Sequence, residues 1–155
     1  MPPVEIENLG LLKEWEGHEF PATDWFVITQ DRIQKFAEAT NDQQWIHLDA
    51  ERAARESPYR SCIAHGFMTL SLLSHLVRQA FKIRTGVAIT VNYGLNKVRF
   101  PAAIRSGEAI RARVKVISVK EFVEFADVTF LVHLESNNSS KPCCAAEWLV
   151  RYYPQ

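Results

Sequence analysis

Residues 40–49 read Thr-Asn-Asp-Gln-Gln-Trp-Ile-His-Leu-Asp, and two of them, Asp42 and His47, could do chemistry together. A carboxylate and an imidazole this close in sequence can converge on one water molecule and move its protons near neutral pH. A second segment, residues 63–74, reads Ile-Ala-His-Gly-Phe-Met-Thr-Leu-Ser-Leu-Leu-Ser, where Gly66 opens a strongly apolar run. Taken alone, an aspartate in a loop is more often a cap or turn former than a catalyst. The surrounding elements therefore have to be read before the pair means anything.

Thr29 is placed to cap a helix whose first turn holds Asp31 and whose Ile33, Phe36, Ala37 and Thr40 share one face. Asn41 suits the left-handed conformation that ends many helices, which puts Asp42 in the loop just beyond. Asp49 can cap a second short helix through Ala53, Ala54 and Arg55, which Pro58 stops after Ser57. His47 lies just before that helix, and Trp45 and Ile46 are expected to bury themselves and shield the pair from bulk water. From Gly66 to Phe81 the apolar residues go most of the way round a helix, so the spacing predicts one long core helix wrapped by other structure.

The wrapping comes next in the chain. Residues 87–91, 93–100, 108–119, 122–135 and 143–153 are rich in β-branched and aromatic residues and are separated by turn signals, with one turn expected at 119–121. Residues 110–116 alternate apolar and basic strictly, so one face is buried and the other wet. Helices first and hairpin-connected strands later argue for an α+β fold, an antiparallel sheet curled around the long helix.

Length and composition bound the rest. A chain of 155 residues that is 47% hydrophobic supports one domain, read as spanning 1–155. Lysine plus arginine equals aspartate plus glutamate at 18 each, which argues against nucleic-acid binding by phosphate neutralisation. Zero net charge also gives little self-repulsion, which fits an oligomer. No stretch approaches the roughly 20 apolar residues of a membrane helix, and the N-terminus has no secretory pattern. The odd count of cysteines, Cys62, Cys143 and Cys144, suits neither a disulfide framework nor a zinc motif, so a reducing cytoplasm is the expected compartment. Cys144 heads a strand-like run and reads as structural rather than nucleophilic.

Residues 36–49, followed by Ile63-Ala64-His65-Gly66, resemble the MaoC-like, R-specific enoyl-CoA hydratases, whose motif runs Gly-Asp-x-Asn-Pro-Leu-His-x-Asp ahead of a His-Gly at a helix start. Trp45-Ile46-His47, Ala64-His65-Gly66-Phe67 and residues 92–101 are similar to the nodulation protein N-like branch, and the likeness runs from Thr29 to Tyr153. Asn41, Gln44 and Trp45 stand where the hydratase motif has glycine, asparagine and proline, and asparagine is the easiest substitute where φ must be positive.

The resemblance implies the hot-dog fold, assembled as a homodimer, acting on an acyl-CoA or acyl carrier protein thioester with no further cofactor and no metal. It implies that Asp42 and His47 activate the water added across a trans-2-enoyl thioester and that the Gly66 amide binds the thioester carbonyl. Gln44 and Ser74 match supporting positions. A hot-dog thioesterase and a non-catalytic acyl-thioester-binding protein remain open beside the hydratase. His65, preceding the working glycine, reads as a structural histidine packing the helix start. Lys97 and Arg99 alternate on a strand and read as a solvated face, with the phosphates of coenzyme A as the alternative partner.

Overall fold

The computed structural model describes residues 1–155. Near the N-terminus apolar residues alternate with glutamates and form β1 (Val4–Asn8), an element the sequence reading does not anticipate. Asn8 then caps a 3-10 turn over Leu9–Trp15 by accepting the Leu11 amide, and the turn buries Leu12. After β2 (Phe26–Val27) comes α1 (Gln30–Thr40), capped as expected by Thr29, whose hydroxyl oxygen accepts the Arg32 amide at 3.2 Å. Ile33 and Ala37 face the core, and Asn41 ends the helix at φ 58, in the left-handed region.

The stretch around His47 is more ordered than a turn. It forms a one-turn helix, α2 (Trp45–Leu48), followed by α3 (Ala50–Glu56). Asp49 accepts the Arg52 amide at 2.9 Å, and the chain leaves the helix at Ser57, ahead of Pro58. Trp45 and Ile46 are half-buried rather than buried, and the Arg52 guanidinium lies 4.2 Å from the Trp45 ring centre.

The long helix predicted over 66–81 is broken. It consists of α4 (Gly66–Ser71) and α5 (Leu73–Ala80), hinged at Leu72. The cause lies in the hydroxyl residues within it. Ser71 Oγ donates to the Phe67 carbonyl at 2.7 Å and Thr69 Oγ1 to the His65 carbonyl at 3.3 Å, and such bonds compete with the helical ladder and bend it. The Leu72 amide is shared between the Met68 and Thr69 carbonyls, a tightened turn. Nor is the helix wrapped on every side: Phe67 is 71% exposed, and Ser71, His75 and Arg78 continue that open stripe.

The sheet elements are β3 (Phe81–Thr85), β4 (Val87–Arg99), β5 (Ala109–Glu121), β6 (Ala126–Ser136) and β7 (Cys144–Pro154). Strand β3 pairs parallel with β1, with Arg84 bonded to Glu5 at 3.0 Å. The main sheet runs β2-β5-β6-β7-β4, all antiparallel. The two segments predicted at 87–91 and 93–100 are one strand carrying register shifts at three points, which let it curl. The turn expected at 119–121 lies instead at residues 122–125, where the Phe122 amide bonds the Phe125 carbonyl and the two rings pack at 4.9 Å.

The alternation in β5 holds: Ile110, Ala112, Val114 and Val116 are buried while Arg111, Arg113 and Lys115 face outward. Val128, Phe130, Val132 and Leu134 of β6 and Ala146, Trp148 and Val150 of β7 complete that inner face. Against it pack Leu73, Leu76, Val77 and Ala80 of α5, so the curled sheet holds the helix as expected. Strand β4 is different. It ends the sheet, and Ile89, Val91, Tyr93 and Leu95 are 42–57% exposed.

Candidate active site

Three connections deliver the chemical groups to one place. Asn41 reverses the chain after α1 and presents Asp42. Helix α2 carries His47, and the Gln30 amide nitrogen ties it to α1 by donating to the His47 carbonyl at 2.8 Å. The segment leading to α4 is fastened on both sides. Its Ile63 amide bonds the Ile46 carbonyl at 3.1 Å, while Ala64 and Ser106 form amide-to-carbonyl bonds with Ile104 and Cys62.

His47 is buried, and its Nδ1 lies 2.7 Å from the Ile63 carbonyl oxygen. A carbonyl only accepts, so Nδ1 carries the proton and Nε2 keeps a free lone pair. Burial holds the imidazole below its ordinary pKa; the Ile63 hydrogen bond opposes that, His65 adds to it, and Asp42 pulls the other way. His47 is therefore a neutral acceptor around pH 7. One carboxylate oxygen of Asp42 and one ring nitrogen each of His47 and His65 lie within 4.8 Å of one another. A single water making two hydrogen bonds of about 2.8 Å can bridge atoms at that separation.

His65 is closer to this chemistry than a helix-packing residue would be. Its ring stacks on His47 with centres 3.7 Å apart and 23° between planes, and Phe36 covers it at 4.9 Å. Its Nε2 lies 3.0 Å from the Asp42 backbone carbonyl and so donates to it. The remaining nitrogen, Nδ1, is buried with no hydrogen-bond partner, which typically costs about 1–3 kcal/mol. Sequence spacing could not reveal this stack; the only signal was the adjacency of His65 to Gly66.

Asp42, His47 and His65 are also the side chains that could hold a metal ion. The stack argues against it. Each nitrogen lone pair lies in its own ring plane, and two rings stacked with centres 3.7 Å apart and only 23° between planes send those lone pairs along nearly parallel planes rather than to one point about 2.1 Å from both.

Gly66 begins α4 with no side-chain cap from His65, so its amide is one of the unpartnered donors of a helix start. A Cβ at this position would meet the Phe100 ring at 3.1–3.2 Å, so the backbone and Phe100 approach as closely as glycine permits. Gln44 is exposed and caps α2 through its backbone only, its side chain making no hydrogen bond to Asp42. Ser74 makes none either. It sits two helical turns beyond Gly66, where two cavities meet. The smaller, about 270 Å³, is lined by Leu70, Leu73, Tyr93 and Leu95 among others. The larger, about 520 Å³, includes Val77, Phe81, Val87 and Val150; Ser74, Asn92 and Trp148 belong to both. Together they form a trough along α4 and α5 in which apolar side chains alternate with Arg78, Lys82, Thr90 and Asn92; Gly66, Asp42 and His47 line neither cavity.

The remaining candidates stay apart from this cluster. Lys97 and Arg99 are solvent-exposed, and Arg99 bonds the Val98 carbonyl. All three cysteines are free and buried, and burial pushes the Cys143 thiol up to about 12 and the Cys144 thiol up to about 11, which leaves neither as a nucleophile. No helix is long and apolar enough to cross a membrane.

Comparison with known proteins fits this arrangement. The chain is 43% identical over 148 residues to 3-hydroxyacyl-thioester dehydratase Z of Mycobacterium tuberculosis, covering 95% of this chain and 97% of that one. It is 38% identical over 135 residues to nodulation protein N of Rhizobium leguminosarum bv. viciae, covering 86% and 83%. In architecture it is similar to the crystal structure of a monoamine oxidase regulatory protein from Archaeoglobus, with a TM-score of 0.76 at 18% identity over 100% of this chain and 99% of that one. The family model for the MaoC like domain matches residues 13–138, and the chain belongs to the MaoC-like dehydratase family.

Proposed function

We propose that the protein is a hydro-lyase that reversibly adds water to trans-2-enoyl thioesters, giving 3-hydroxyacyl thioesters. The observation that carries this reading is the water-sized gap between the Asp42 carboxylate and a neutral, acceptor-bearing His47, beside the free amide of Gly66. Asp42, assisted by His47, takes a proton from water as its oxygen attacks the β-carbon. The electrons move onto the thioester oxygen, where the Gly66 N–H stabilises the developing enolate. Collapse of the enolate delivers a proton from the same pair, or from that water, to the α-carbon. The family resemblance implies syn addition and R configuration. The thioester itself is the electron sink, so the residues need no further cofactor to perform these steps.

The substrate's handle is coenzyme A or an acyl carrier protein, and the trough beyond Gly66 takes the acyl chain. Ser74 offers a hydroxyl to the substrate within that trough, and Gln44 supports the loop of Asp42 through its backbone, whose carbonyl accepts the His47 amide at 3.1 Å. We read residues 1–155 as one domain that works as a homodimer. Supporting the dimer, β4 is a long terminal strand with unpaired backbone on one side and apolar side chains open to solvent, a surface suited to a second copy. Buried free cysteines fit a reducing cytoplasm.

The test is a chain-length series of enoyl-CoA thioesters incubated with purified protein, following loss of the enone absorbance. If no chain length reacts, the hydratase reading fails, and release of free thiol instead identifies a thioesterase. In Asp42→Asn with the fold verified, turnover should fall by at least about 100-fold. Undiminished turnover removes Asp42 from the mechanism.

A further inference from the structure

We infer that His65 is a positioning residue that holds the carboxylate, the imidazole and the oxyanion donor of this site in register, an inference that rests on the hydratase reading above. Three separate contacts meet in this one side chain. Its Nε2–H holds the Asp42 carbonyl at 3.0 Å, which fixes the loop bearing the carboxylate. Its ring lies 3.7 Å from that of His47 and is packed in turn by Phe36 at 4.9 Å, and so limits how the His47 imidazole can tilt. Its own carbonyl belongs to the peptide whose N–H is that of Gly66, so any movement of the His65 backbone moves the oxyanion donor with it.

The way its nitrogens are used distinguishes this role from packing. A residue present only to fill the start of α4 would be satisfied by an apolar ring, since it is 97% buried and packs against two rings. Histidine at that place leaves Nδ1 buried without a partner, an arrangement that has to be offset elsewhere. What it obtains is the Nε2–H on the Asp42 carbonyl. The loop it holds has no side-chain anchor near the carboxylate: Asp42 is exposed, and neither its side chain nor the Gln44 side chain forms a hydrogen bond, the next tie being the Gln44 carbonyl on the His47 amide. Positioning of this kind matters because displacement of a catalytic group by about 1 Å can cost about 100-fold in rate.

Two substitutions separate the contributions. His65→Phe keeps a ring against His47 and removes the donor to Asp42. His65→Gln keeps an N–H near the position of Nε2 and removes the ring. For His65→Phe the expected result is a fall in kcat of about 100-fold with KM within about twofold, since no substrate contact is lost. For His65→Gln a smaller fall, about tenfold, is expected, a partial rescue relative to phenylalanine. Two NMR signals report the geometry without turnover. The carbon shift of the Asp42 carbonyl should move in His65→Phe and hold in His65→Gln, while the ring-current displacement of the His47 ring protons should show the reverse. If the wild-type protein hydrates no enoyl thioester, the hydratase reading fails, and these shifts still decide whether His65 tethers Asp42 and His47. Unchanged shifts in both variants overturn the inference. So does kcat within threefold of wild type in His65→Phe, or a loss of thermal stability in both variants with kcat per folded molecule unaltered.

Discussion

The sharpest perturbation of the site is His47→Asn, because the two nitrogens of His47 have separable jobs. Asparagine's amide nitrogen sits close to where Nδ1 was and can still donate to the Ile63 carbonyl, the 2.7 Å bond that seats α2 against the segment leading to α4. Nothing replaces Nε2, the lone pair that on the proposed mechanism helps Asp42 hold and deprotonate the water. Loss of a group that takes part in acid–base catalysis removes about 100- to 10,000-fold in kcat, or about 3–5 kcal/mol of transition-state stabilisation. Stability should change little beyond the smaller volume of the side chain. His47→Ala makes the complementary change: it loses the same catalytic factor and also strands the buried Ile63 carbonyl, costing about 1–3 kcal/mol more. For a chain of this size that is a further drop of roughly 3–10 °C in melting temperature. Both variants are assayed by enone absorbance at saturating enoyl thioester and by thermal unfolding. An asparagine variant retaining more than about a tenth of kcat would show that Nε2 takes no part in the proton transfer. Equal melting temperatures for the two variants would mean that the Ile63 bond does not anchor α2.

His47 also sets a pH dependence. Its folded-state pKa is depressed, chiefly by burial, so the neutral ring's contribution to stability is fully present above about pH 6.5 and is lost as pH falls through the lower folded-state value. The acid limb of kcat/KM for the wild-type protein should correspondingly lie below pH 6.5, and an acid limb above it would contradict the burial argument. Gly66→Ala should lower kcat/KM about tenfold, the order of one weakened hydrogen bond, because the added methyl and the Phe100 ring it displaces crowd the amide. An unaltered kcat/KM would show that substrate does not approach there. Val91→Lys puts a charge on the open edge strand β4; sedimentation should show the proposed dimer shift to monomer, and an unchanged dimer would move the interface elsewhere. Thiol reagents should leave Cys143 and Cys144 untouched until the protein unfolds, and rapid native-state labelling would contradict their burial.

What could be read from the sequence was whatever a single segment decides for itself. Thr29 and Asp49 act as caps because a short polar side chain reaches an amide three positions on, and Asn41 takes φ 58 because asparagine tolerates it; all three are local. The alternation in β5 is equally local, since burial of one face shows directly in the residue types. Asp42 and His47 were legible as neighbours through motif order, but the way their side chains are held, with His65 beside them, was not. The stack of His65 on His47 depends on a chain reversal between α3 and α4 in which Arg60 takes φ 57, and no spacing rule registers such a path. The break at Leu72 was hidden for a different reason. Thr69 and Ser71 look like minor interruptions of an apolar face, and only their bonds to carbonyls four residues back turn them into a hinge. On the hydratase reading proposed above, that hinge lies between Gly66, the proposed donor to the thioester carbonyl, and Ser74, where the two cavities meet, so the course an acyl chain would take is set by two hydroxyl residues given no part in the chemistry.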